Sequence, residues 1–418
     1  MMLAAFFFTL VFGFSLVSRR VERTWVTAPM VFTLSGVLLP MVIPGMDGGN
    51  IQLSVWLHIA EIGLVLLLFT DASHTNLGVL KNIRSLPIRL LSSGMLLTLF
   101  LGMVLALWVF PQLSLWEAGI LAAILAPTDA GLGQIIVNSP QVPMKIRQAL
   151  NVEAGLNDGL SVPFLLFFIA LASSASGDDH AGLARFITEQ LGYGILVGTG
   201  IGLLGGWLLG AAIRAQWMAK SWCQLGVVVL PVLCIGASNA VGASMFIASF
   251  VAGLAVQVGY KNVAAHSVEF TEEWGQLLNL SVFFLFGLLV CLTWSQFTFA
   301  HGMYALLSLT VIRMLPVALA LAGTRLSRAT VLFIGWFGPR GLASIVLGMV
   351  YLEHETHQSG ESTIRLAVMV TVLVSIFVHG LSAVPGMTIY AKKIRTLSPE
   401  APEFDGVEQG HTLARPSK

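Results

Sequence analysis

The sequence predicts an all-α polytopic membrane protein of about thirteen transmembrane helices, laid out as two inverted six-helix repeats. Three observations predict it. The 418 residues are 56% hydrophobic and 10% charged, with a mean hydropathy of +0.85, whereas a soluble domain is roughly half apolar and a quarter charged. Apolar runs long enough to cross a bilayer core of ~30 Å recur along the chain. Lys and Arg gather in alternate loops, as cytoplasmic loops require.

The first run, MMLAAFFFTLVFGFSLVS, is followed rather than preceded by its basic residues Arg19, Arg20 and Arg23, and no A-x-A site is visible. That is the reverse of a secretory signal, so the run is expected to be a first span with the N-terminus outside. Further spans are expected near 25–44, 53–71, 87–110, 115–137 and 148–172, which completes a first repeat over about 1–172. A linker helix near 190–213 follows. Spans near 222–237, 241–258, 272–294, 299–322, 328–351 and 363–390 form a second repeat over about 222–391. A single linker helix inverts the second six relative to the first, the plan of many secondary transporters. The membrane domain is thus expected over 1–395, and the polar Pro- and Gly-containing segment 396–418 is expected to be a short disordered cytoplasmic tail.

All but four of the 22 Lys and Arg residues fall in the proposed inside loops and tail. The exceptions are Arg185 and Arg365 outside, and Arg313 and Arg340 within spans. Outside loops are instead mildly acidic, as in GDDH (177–180) and EHETHQSGE (353–361). The pattern places a multi-pass protein in the cell (inner) membrane with its C-terminus cytoplasmic. A formal net charge of +1 argues against a nucleic-acid partner, which demands a basic surface. Cys223, Cys234 and Cys291 stand singly in apolar stretches, with no CxxC pair, disulfide framework or metal site. No cofactor is implied.

Two spans are broken, each the fifth of its set of six. LAPTDAGLGQ (125–134) holds Pro127, which removes a backbone donor and disfavours helix before it, and then Gly131 and Gly133. GWFGPRGLAS (335–344) clusters Gly335, Gly338, Pro339 and Gly341. Matched Gly/Pro interruptions in the two halves point to a transporter's binding site. Non-helical backbone at that depth is tolerated only inside protein or beside a water-filled cavity. The breaks carry opposite charges, Asp129 and Arg340. An acid compensates half-helix N-termini and a base compensates half-helix C-termini.

Ionisable residues inside a membrane are costly and by default mark a functional site or a pair. Here they are Glu61, Asp129, Glu153, Asp158, Arg313 and Arg340, a nominal surplus of two carboxylates that a cation or protons can offset. At ~100° per residue, Glu153 and Asn157 share one helix face while Asp158 lies ~140° from Glu153. Glu153 can therefore turn to a basic partner, with Arg313 the candidate, while Asp158 faces the break at Asp129. Oxygen ligands from Thr128, Asp129, Asn157 and Asp158 suit a hard monovalent cation. Burial disfavours the charged form of a carboxylate. It is neutralised by a proton or by a cation, and moving that one site between two sides exchanges them. Glu61 has no assigned role.

At these residues the chain resembles a cation/proton antiporter of the NhaP type, the branch related to the animal sodium/proton exchangers. PTDAGLG resembles the family's Thr-Asp break and EAGLNDG its Glu-x-x-x-Asn-Asp stretch. SMFIASFVAGLAV (244–256) resembles its core-lining ninth span, IRMLPVALA its arginine helix, and GPRGLAS its second broken helix. The resemblance implies an NhaA-like fold with crossed broken helices, a homodimer, and elevator-like alternating access. It implies that Asp158 carries the exchanged ion, Na⁺ (or Li⁺) or H⁺, and that Asp129, Thr128 and Asn157 help build the site. It implies a Glu153–Arg313 structural ion pair, with Arg340 stabilising the crossed half-helices. An Asn-Asp pair marks the electroneutral branch. Ala154 and Ala130 stand where Ser and Pro are commoner, and a missing hydroxyl at 154 removes a possible cation ligand. K⁺/H⁺ exchange on the same scaffold is the alternative. An intramembrane aspartyl protease using Asp129 and Asp158 is a remote one, since it wants a GxGD motif and none occurs. A channel fits less well, for there is no repeated filter loop.

Overall fold

Helix lets a chain satisfy its own backbone groups inside hydrocarbon, and the described residues of the computed structural model are helical, with no strand among them. It describes residues 2–21, 24–42, 53–74, 85–174, 185–186, 188–260, 269–353, 360–398 and 400–404. The helices are α1 (Met2–Val21), α2 (Ala28–Val42), α3 (Leu53–His74), α4 (Met95–Val109), α5 (Leu115–Ile124), α6 (Ala130–Val137), α7 (Met144–Ser174) and α8 (Gly194–Arg214). They continue with α9 (Lys220–Val241), α10 (Met245–Gly259), α11 (Glu269–Thr293), α12 (Phe299–Leu309), α13 (Val311–Ala320), α14 (Arg328–Trp336), α15 (Leu342–Glu353) and α16 (Glu361–Ile394).

Each expected span overlaps a described helix or a pair of half-helices, and among the described residues eight helical stretches are long and apolar enough to cross a bilayer. The acidic loop 177–180, most of 353–361, and Arg23, Lys81, Arg84 and Lys261 lie outside the described residues. The short turn between α9 and α10 closes through Gly242, whose φ of +70° caps α9 in the left-handed region that only glycine adopts freely. Cys223 and Cys234 are buried, and no disulfide joins any of the three cysteines.

Glycines decide which helices touch. On α8, buried Gly198, Gly202 and Gly206 recur every four residues and so share one face. A Cβ on them would lie 2.3, 2.6 and 2.4 Å from the carbonyl oxygens of Ala248, Ala252 and Val256 on α10. Only a seam without side chains lets the two backbones meet this closely. Further contacts fix α3 to α10: Ser249 Oγ donates to the Val65 carbonyl at 2.8 Å and Gln257 Nε2 to that of Ala72 at 2.9 Å. Helices α2, α3 and α8–α11 thus pack as one group, and α4–α7 with α12–α16 as another. The groups meet mainly where α3, α10 and α11 face α7 and α15.

One expectation is refined and one is corrected. The span expected over 299–322 is one apolar stretch, Phe299–Ala320, with a local break at Thr310, φ −109° and ψ −86°, between α12 and α13. Pro316 lies inside α13. The tail expected to be disordered over 396–418 is docked in its first part. Residues Pro402–Phe404 form a 3₁₀ turn, and Glu403 is 1% exposed. Residues 405–418 lie outside the described residues.

Candidate ion site at two crossed broken helices

Helix α5 ends at Ile124 and α6 begins at Ala130, while α14 ends at Trp336 and α15 begins at Leu342. The two non-helical connections touch directly: the Asp129 N–H donates to the Pro339 carbonyl at 2.8 Å. Four helix ends therefore lie near one point, each with orphan backbone groups.

Asp129 serves both N-termini. Its Oδ1 accepts from the Leu132 N–H at 2.9 Å, and its Oδ2 from the Leu342 N–H at 2.6 Å. One carboxylate thus caps α6 and α15, where the macrodipoles favour negative charge. Gly341 is what permits this, because a Cβ there would lie 2.0 Å from Asp129 Oδ2. Arg340, fully buried, serves the carbonyl end of α5, where Nη1 donates to the Ala126 and Pro127 carbonyls at 2.6 and 2.9 Å.

Along α7, Glu153 and Asn157 lie one turn apart on the same face and take different partners. Glu153 receives both Nη groups of Arg313 at 2.6 and 2.9 Å, and both residues are buried. This is the bidentate form that carboxylate and guanidinium geometry allow. Gly338 makes room, since a Cβ there would lie 2.3 Å from Arg313 Nε. One turn on, Asn157 Nδ2 donates to Thr128 Oγ1 at 2.6 Å and ties α7 to the first break. Asp158 is 3% exposed, and its Oδ1 accepts no hydrogen bond; neither does Asn157 Oδ1. A buried oxygen without a donor is costly, so each of these two keeps unused acceptor capacity. A cavity of about 20 Å³ reaches Thr128 and Asp129 between α6 and α7, with Asn151, Ala154 and Phe337 among its walls. It is large enough for about one water. Ala154 thus stands on the cavity wall and brings no hydroxyl to it.

A family model described as sodium/hydrogen exchanger, transmembrane, matches residues 3–388. The chain belongs to this sodium/hydrogen exchanger family. A Na(+)/H(+) antiporter of Schizosaccharomyces pombe is 29% identical over 341 residues, covering 72% of this chain and 70% of that protein. A K(+)/H(+) antiporter NhaP2 of Shewanella (strain MR-4) is 25% identical over 378 residues, covering 88% of this chain and 63% of its own length. The sodium proton antiporter MjNhaP1 of Methanocaldococcus jannaschii, at pH 8, shares the fold with a TM-score of 0.74 at 20% identity. That match covers 94% of this chain and 99% of the other. The exchanger family is one of transporters, so the crossed break belongs to a membrane transport protein and not to an aspartyl protease.

In this exchanger two groups escaped the sequence reading. Asp71, near the end of α3, lies against Gly155 of α7, its Cβ 3.4 Å from where a glycine Cβ would be. With Asp129 it is the carboxylate coupled electrostatically to Asp158. Its place at a span end hid it, although a carboxylate beside an apolar run was the available signal. The second group is Glu403. Its Oε1 accepts from the Ser327 N–H at 2.7 Å and from the Thr330 hydroxyl at 2.8 Å, at the N-terminus of α14. Lys145 Nζ, at the start of α7, donates to the neighbouring Pro402 carbonyl at 2.7 Å. Glu61 is buried on α3. The side chain of Ala130 lies outside the described residues.

The docked tail has a pH signature. Burial pushes the Glu403 carboxyl up, but the hydrogen bonds from Ser327 and Thr330 outweigh it and hold the group below the ordinary range. A depressed docked value means that the docking energy is fully present above the undocked carboxylate value of ~4.3. It is lost as pH falls through the docked value. Residues 400–404 are expected to stay protected from proteolysis at neutral pH and to open only well into the acid range. Glu403→Gln should open them at pH 7; equal protection in that variant contradicts the assignment.

Proposed function

We propose that this chain exchanges Na⁺ (or Li⁺) for H⁺ across the membrane, one for one, by competition at Asp158. The observation that carries the reading is the pair of donor-free buried oxygens on Asn157 and Asp158, beside a carboxylate that caps two half-helices. Asp158 holds the ion or the proton. Asn157 and Thr128 complete the oxygen ligands, and Asp129 supplies negative charge while keeping α6 and α15 in place. A metal ion and a proton cannot both neutralise Asp158, so each must leave before the other binds. The exchanged cation is a substrate and not a resident metal. Arg340 holds the crossing, and the Glu153–Arg313 pair holds α7 to α13.

Alternating access follows if one group of helices moves against the other along the surfaces where α3 and α10 meet α7 and α15. Supporting this are few contacts across that boundary and dense glycine-mediated contacts within the first group. The topology that fits is two inverted repeats about the linker α8, in a homodimer of the cell membrane, with the N-terminus outside and the C-terminus cytoplasmic.

K⁺/H⁺ exchange is the second reading. Ala154 favours it, because a cavity wall without a hydroxyl offers one ligand fewer to a small cation, and a Shewanella relative is named a K(+)/H(+) antiporter. The test is purified protein in vesicles loaded with a pH dye, given Na⁺, Li⁺ and K⁺ in turn. Na⁺ and Li⁺ are expected to dissipate the proton gradient at a rate that an imposed membrane potential does not change. A larger response to K⁺ selects the second reading. No response to any of the three overturns both.

A further inference from the structure

Of the four half-helix ends at the crossing, Asp129 covers the two N-termini and Arg340 covers the carbonyl end of α5. The remaining end is that of α14, whose last residue is Trp336. The geometry points to His379 of α16 as the fourth capping group and as a positioning residue for the ion site, a role that rests on the exchange reading above.

His379 is 2% exposed, and both of its ring nitrogens are engaged. Nε2 lies 2.9 Å from the Trp336 carbonyl. A carbonyl only accepts, so Nε2 carries the proton and donates. Nδ1 lies 3.1 Å from Ser375 Oγ, one turn earlier on α16. The Ser375 carbonyl is also 3.1 Å from Nδ1, but a neutral ring with its proton on Nε2 has nothing to donate to it. Ser375 Oγ in turn accepts the backbone N–H of Arg340 at 2.6 Å, which leaves its own proton for Nδ1. The polarity is consistent throughout: Arg340 N–H to Ser375, Ser375 O–H to His379, His379 N–H to Trp336.

The chain ties the last residue of α14, Trp336, to Arg340 inside the second break. It then continues through the Arg340 guanidinium to the Ala126 and Pro127 carbonyls, which immediately precede Thr128 and Asp129. An imidazole that touches no ion therefore fixes where two residues of the ion site sit. Trp336 is bound to α16 a second time, its Nε1 donating to Ser382 Oγ at 3.0 Å. The end of α14 thus keeps a tether when the imidazole is removed, so His379 can be changed without freeing α14. The charged groups that reach His379 are Arg340 and Arg313.

The experiment measures initial exchange rates against Na⁺ concentration in the same vesicles. Wild-type exchange tests the parent reading, and the variants test the chain. His379→Ala is expected to raise KM for Na⁺ roughly three- to tenfold, the scale of one hydrogen bond, with a smaller change in kcat. His379→Gln, which keeps a donor in reach of Trp336, should recover most of the affinity. Ser375→Ala should raise KM as His379→Ala does, and the double variant should be no worse than the single ones, because all break one chain. An unchanged KM in both single variants overturns the proposal, as do effects that simply multiply in the double variant. If His379→Ala does not fold, His379→Gln and Ser375→Ala decide alone: affinity near normal in the first and reduced in the second supports the chain. Normal affinity in both refutes it.

Discussion

Asp158→Asn is expected to bring cation-driven proton flux down to the level of empty vesicles while the protein remains folded. Both halves of that expectation come from the same atom. Asp158 Oδ1 accepts no hydrogen bond, so replacing the carboxylate by its near-isosteric amide breaks no contact at that oxygen. The fold, read as a monodisperse peak with an unchanged melting profile, should survive. The amide neither ionises nor offers a counter-charge, so it can hold neither a transferable proton nor a desolvated cation. A conformational cycle can then turn over without moving anything. Two other carboxylates are coupled to position 158, Asp71 and Asp129. Persistent flux in the variant would shift the carrier role to one of them and remove Asp158 from it. Flux lost together with the folded peak would mean that Asp158 holds the structure, which its empty acceptor does not suggest.

What the chain disclosed in advance, and what it withheld, follows from which forces are local. A bilayer fixes the length of apolar run a helix needs, and that requirement is written residue by residue, so the spans could be placed by counting. The breaks were legible because Pro127 and Pro339 lack a donor wherever they stand, and because charge inside hydrocarbon is conspicuous at Asp129 and Arg340. Partnership is different. The every-fourth glycines of α8 announce a close contact but do not name α10 as the partner, since the complementary carbonyls of Ala248, Ala252 and Val256 have no sequence signature. The double cap at Asp129 joins residues more than two hundred positions apart and exists only once the half-helices cross. Glu403 reads as one more acid in a polar tail, because its partners Ser327 and Thr330 become available only when α14 ends beside it. His379 was passed over for a related reason: one histidine in an apolar span gives no hint that a broken helix ends against it.

Glu153→Ala is expected to act on folding and not on ion affinity, and to lower stability severely. Arg313 is 5% exposed, and Glu153 is the carboxylate that receives both of its Nη groups. A guanidinium cannot shed its proton to escape burial, so without Glu153 a permanent charge is left in a water-poor interior. Breaking a buried pair by removing one partner costs about 3–5 kcal/mol, a large share of a net stability that is itself about 5–15 kcal/mol. Folded yield in detergent and the thermal midpoint should both fall sharply. The charge argument makes a second demand. In Glu153→Leu combined with Arg313→Met no unpaired charge remains, and replacing a buried pair by apolar residues of similar volume is often close to neutral. The double variant should therefore recover much of the stability that the single one loses. Its KM for Na⁺ should stay near that of the wild type, because Glu153 faces α13 while Asn157 faces Thr128 at the break. A single variant with normal yield and altered Na⁺ affinity would instead put Glu153 among the ligands. A double variant as unstable as the single one would show that the pair holds α7 against α13 by its specific geometry and not by charge neutralisation.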